Sequence, residues 1–137
     1  MAQTAFILVL TADEARGQRL RELLREQYEQ SCKVVSSLEE ARESIRQRVP
    51  DAIVADASIN GNSTVASLAD VLVAAAPDAA LLVLGEAKAA PLSRRVRFTT
   101  LPADAPPDQL ARQIVQAAGK AVARREDRLL ELSLIHI

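Results

Sequence analysis

Three short apolar runs, over residues 5–10, 52–55 and 79–84, punctuate an otherwise mixed chain. Runs of this length with no polar face predict strands buried on both sides of a sheet. The stretches between them change period: Leu20, Leu23 and Leu24 mark one face of a helix over 14–30. Leu38, Ala41 and Ile45 mark a second, opened by the capping pair Ser37 and Glu40 and stopped by Pro50. Lys33, Val34 and Val35 read as a brief strand between these helices, and Leu68, Val71, Leu72 and Ala75 as a third helix ending near Pro77. A fifth strand follows over 96–101. Pro106, Pro107 and Asp108 then open a last helix carrying Leu110, Ile114, Ala117 and Ala121 and running on through Arg124 to Leu130.

This alternation predicts an α/β fold with a doubly wound, five-stranded parallel sheet, because right-handed crossovers place helices on both faces. Residues 85–95 depart from it. They hold Pro91 and few spaced apolar residues, so the helix between strands four and five is reduced to a turn or two.

With 137 residues and 49% hydrophobic content, the chain is sized for one domain with a real core. Phe6, Tyr28 and Phe98 are its only aromatic residues, so Leu, Val, Ile and Ala must fill that core, which favours helices lying close on the sheet. Seventeen basic side chains balance eighteen acidic ones, with no basic concentration before the last helix. Direct nucleic-acid binding and membrane binding are therefore not expected. A single cysteine, Cys32, excludes an internal disulfide and a multi-cysteine metal site, and is expected to be a buried small hydrophobe at a strand's start. No apolar stretch reaches the length of a membrane span, and Met1 to Thr4 lacks a basic start. A soluble, cytoplasmic protein is the expectation.

Asp56 closes the run 52–55 with a carboxylate and is followed by the turn residues Ser58, Asn60, Gly61 and Asn62. An acid there sits at the carboxyl edge of the sheet, where ligands gather in α/β folds. The segments Ile7 to Leu10, Pro50-Asp51-Ala52-Ile53-Val54-Ala55-Asp56, and Leu101-Pro102-Ala103-Asp104 onward to Leu110 together resemble the response-regulator receiver domains over roughly residues 5–123. The resemblance implies a flavodoxin-like sheet of order 2-1-3-4-5 with Asp56 in the phosphoacceptor position. It also implies an acidic pair at the first strand's exit, a hydroxyl residue ending the fourth strand and a lysine ending the fifth. Those positions here are Thr11 and Ala12, then Gly85, then Ala103. Each missing charge or donor in a phosphoryl-transfer site costs about 10²-fold or more in rate. The chain therefore resembles a degenerate receiver.

The expected function is regulation of an attached output module, of sigma-54 ATPase or histidine-kinase type, by phosphorylation-independent protein contacts around strands four and five and the last helix. No cofactor and no enzymatic activity are expected. In the alternative reading Asp56 accepts a phosphoryl group from a histidine kinase, with magnesium held by Asp13, Asp56 and the Ser58 carbonyl. A third reading is an architectural module that forms a homodimer through the last helix.

Arg94, Arg95 and Arg97 form a basic cluster, read either as a solvated rim or as a surface for an acidic partner. Arg124, Arg125 and Arg128 interleave with Glu126 and Asp127 at spacings suited to ion pairs along one helix. The hexapeptide Leu132 to Ile137 resembles the translation of a transposon-end sequencing adapter, which would empty His136 of meaning. The expected organisation is a receiver-like domain over 1–123, the start of a helical linker over 124–131, and a non-native end over 132–137, in the truncated N-terminal part of a longer bacterial signalling protein.

Overall fold

The computed structural model describes residues 5–56, 78–85, 98–102 and 104–135. The third helix expected around Leu68 to Ala75, and the segment 86–95, lie outside the described residues. Five parallel strands, β1 (Phe6–Leu10), β2 (Ser31–Val35), β3 (Ala52–Asp56), β4 (Ala80–Leu84) and β5 (Phe98–Leu101), form one sheet of order β2-β1-β3-β4-β5. The described helices are α1 (Glu14–Glu26), α2 (Leu38–Gln47) and α3 (Pro107–Ile135). Both the doubly wound class and the strand order are as expected.

Alternation along the strands divides the core. Ile7, Val9, Ala52, Val54, Leu82 and Leu84 pack in one cluster with Leu20, Leu23 and Leu24 of α1 and Leu110, Ala111, Ile114 and Ala118 of α3. Leu8, Leu10, Ile53 and Leu81 alternate with them and are just as deeply buried. β1 throughout, and β3 as far as Ala55, are thus apolar, as strands covered on both faces must be.

Capping sets the helix limits. Asp13 opens α1 by accepting the Arg16 N–H at 3.0 Å. The helix then stops at Glu26, four residues short of the expected end, because Glu29 takes a left-handed conformation (φ 54°) and Gln30 turns back to the Leu24 carbonyl at 2.9 Å. The Gln30 side chain secures that turn to the sheet, accepting the Ala5 N–H and donating to the Tyr28 carbonyl, each at 2.8 Å. At α2 Ser37 accepts the Glu40 N–H at 3.2 Å, and the Glu40 carboxylate reaches back to Ser36. Its end precedes Pro50 as expected.

β2 lies at the sheet's edge, and its Cys32 is half-buried rather than enclosed. Burial still pushes the thiol up to about 11, against the opposing pull of the Arg21 and Arg25 charges. Only the thiolate is a nucleophile, so Cys32 should alkylate at pH 8 roughly 10²-fold more slowly than a thiol at the ordinary value. The rate should climb until about pH 11, and urea should abolish the difference; a plateau near pH 9 in the folded protein would contradict this. No helix among the described residues is long and apolar enough to cross a membrane.

Candidate functional site

The chain leaves β1 outward to β2 and then returns past β1 to β3, so the connections diverge at the carboxyl ends of β1 and β3. Such a divergence opens a crevice in doubly wound sheets. Leu10 stands opposite Ala55 in the parallel register, which brings the next residues, Thr11 and Asp56, side by side. Both are buried, at 2% and 9% exposure. The Thr11 hydroxyl donates to Asp56 Oδ2 at 3.1 Å and accepts the Asp13 N–H at 3.1 Å. Its backbone N–H is held by the Val35 carbonyl at 3.0 Å. One threonine therefore links the exits of β1, β2 and β3.

The other positions named from the sequence are arranged around this contact. Ala12 is exposed. Asp13 is exposed as well, with its carboxylate turned to the α1 N-terminus as the cap. Gly85 follows β4, whose Leu84 pairs with Asp56, and adopts φ 100° while donating its N–H to the Leu101 carbonyl at 2.9 Å. That conformation favours glycine over a hydroxyl-bearing residue. Ser58, Ala103, Arg94, Arg95 and Arg97 lie outside the described residues.

A magnesium ion requires near-octahedral oxygen coordination, built on carboxylates. Among the described residues this edge offers one buried carboxylate, Asp56, with an oxygen already taking the threonine proton. Asp13 is committed to its helix. No group of three or more His, Cys, Asp or Glu side chains among the described residues is placed to hold a metal ion. The described residues do not fit a magnesium site.

A second polar centre, at the opposite end of β3, escaped the sequence reading. Asp51 precedes the strand at 7% exposure. Its Oδ2 accepts the Phe6 N–H at 2.9 Å and its Oδ1 accepts from Arg125 Nη1 at 2.7 Å. Its own N–H donates to the Phe6 carbonyl at 2.8 Å, and its carbonyl accepts the Ala80 N–H at 2.9 Å. Arg125, whose spacing also suits ion pairs within its own helix, reaches across to the sheet. Ile114, Ala118, Ala121 and Arg125 recur at three- and four-residue spacing, so Arg125 inherits the inward face of α3. That periodicity was the available signal.

No family model matches the chain, and no curated protein matches it. Solved structures do. One described as a transiently phosphorylated switch in bacterial signal transduction superposes with a TM-score of 0.70 at 15% identity, over 88% of this chain and 98% of that one. The receiver domain of an HD domain-containing protein from Pseudomonas fluorescens Pf-5 gives 0.69 at 17% identity, over 92% and 95%. The chain has the receiver fold. NtrX from Brucella abortus, in complex with ADP, gives 0.74 at 18% identity over 93% of this chain but 29% of the longer one. In the receiver fold seen here, the edge at Asp56 carries Thr11 and Gly85.

Proposed function

We propose that this chain is a receiver-like regulatory domain that signals through protein contacts and does not take a phosphoryl group on Asp56. The observation that carries the reading is the Thr11–Asp56 hydrogen bond, which puts a neutral hydroxyl against the buried carboxylate where acid-held magnesium would be required. A carboxylate attacking phosphorus approaches a group of its own charge, so a metal or fixed cations must neutralise it. Gly85 has no hydroxyl to meet the incoming oxygens and Ala103 no cation to balance them. Three such losses, each of about 10²-fold, remove the reaction on any useful timescale.

What remains is a rigid sheet flanked by surfaces a partner can read. An attached signalling domain is the partner we favour, in keeping with the longer NtrX chain and the HD domain-containing protein among the structural neighbours. A sigma-54-type ATPase or a histidine-kinase core is the expected output module, and Arg94, Arg95 and Arg97 the basic surface offered to it.

The reading is tested by incubating the full chain with magnesium and acetyl phosphate, and separately with beryllium fluoride. Intact mass should show no phosphoryl adduct, and the amide signals of Thr11, Asp56 and Gly85 should not move. A stable adduct that vanishes in Asp56→Asn would overturn the proposal in favour of an active phosphorelay receiver.

A further inference from the structure

α3 is longer than the layer it covers. Its 29 residues span roughly 43 Å, whereas among its described side chains the fully buried ones run from Leu110 to Ala121. One turn further, Arg125 meets Asp51 and Arg124 Nη2 reaches the Asp78 carbonyl at 3.3 Å. Beyond them Leu129 and Leu130 are 59% and 63% exposed. Helical turns without tertiary support are marginal in water. Among the described residues these two arginines are the outermost ties of α3 to the sheet.

What they are tied to is unusually well connected. Asp51 joins the first residue of β1 through two hydrogen bonds, the first residue of β4 through its carbonyl, and α3 through its second carboxylate oxygen. Asp78, just before β4, receives the neighbouring arginine. Arg48 adds a guanidinium 4.5 Å over the Phe6 ring at the same base. The carboxylate is 8% exposed and the Arg125 side chain 42%, so the acid is fixed in the body while the base belongs to the projecting helix.

We propose that Asp51 and Arg125 form a latch that fixes how α3 leaves the sheet, so that the base of β1, β3 and β4 and the projecting turns of α3 reorient as one body. A partner seated on those turns would then feel any displacement of β3, whose opposite end is Asp56. The latch holds whether or not Asp56 is ever phosphorylated.

Amide residual dipolar couplings of the weakly aligned, isotope-enriched full chain test it. In the wild type one alignment tensor should fit the sheet amides and those of Glu126 to Leu130. Arg125→Gln should reduce the couplings of Glu126 to Leu130 at least about twofold, as for a fraying segment. Arg125→Lys should retain them. Asp51→Asn keeps an oxygen for the Phe6 N–H but loses the charge, and should reproduce the loss with the β1 and β3 amide shifts still those of a folded sheet. Unchanged couplings in Arg125→Gln, or a loss in only one of the Gln and Asn variants, would overturn the latch.

Discussion

Thr11→Asp combined with Ala12→Asp should destabilise the protein in EDTA by about 3 kcal/mol, and magnesium should restore most of that loss. The first substitution places a second carboxylate against Asp56, where the hydroxyl now donates at 3.1 Å in a site of 2% and 9% exposure. Two facing carboxylates cannot both ionise there without a counter-charge. Acidification should shrink the deficit, since protonating one of the pair removes the repulsion. A divalent ion removes it at neutral pH, and an ion at 100 times its dissociation constant returns about 2.7 kcal/mol. Thermal unfolding with and without magnesium reads both effects.

Thr11→Val separates the hydrogen bond from the charge. It keeps the volume and leaves the Asp56 oxygen without the threonine proton, which should cost about 1–3 kcal/mol with no magnesium dependence. A wild-type protein already stabilised by millimolar magnesium would contradict the reading, as would an aspartate variant as stable in EDTA as its parent.

The fold was legible in the chain because each layer has its own period. Continuous apolar runs became the central strands, and the Ser37–Glu40 pair became the observed cap of α2. α1 was read too long because its polar surface continues past Leu24, and nothing in the local pattern marks Glu29 as left-handed. Cys32 was read as enclosed because strand type does not reveal strand position; β2 pairs with β1 alone and sits at the edge.

The site was legible in part for the same reason. That Asp56 ends a buried strand follows from the run before it, but its contact with Thr11 depends on the β1–β3 register across 45 residues of chain. Asp51 and Arg125 are 74 residues apart, and their meeting depends on the direction of α3 over the sheet base, a tertiary property. Charge alternation on the helix surface pointed to local pairs, whereas a buried acceptor with an unpaired lone pair is the stronger attractor for a guanidinium.

Gly17→Leu should lower stability by about 3 kcal/mol, and the damage should reach Asp56. Gly17 is buried in the first turns of α1, where its N–H donates to the Asp13 carbonyl at 3.0 Å. A Cβ at that position would lie 2.7 Å from Val34 Cγ1 and 3.1 Å from Thr11 Cγ2. Val34 is β-branched, with little rotamer freedom to yield. Thr11 is held by Asp56, Asp13 and Val35 and can move only by loosening those bonds. Helix propensity alone would favour alanine over glycine by about 1 kcal/mol, so Gly17→Ala measures how far the clash outweighs that gain. Gly119 supplies the control: a Cβ there meets nothing within 4 Å, and Gly119→Ala should stabilise the same fold by about 0.5–1 kcal/mol. Urea unfolding gives the three stabilities, and the amide shifts of Thr11 and Asp56 report the transmitted strain. If Gly17→Leu proved as stable as the wild type, α1 could slide away from β1 and β2, and the Thr11–Asp56 contact would owe nothing to the closeness of that helix.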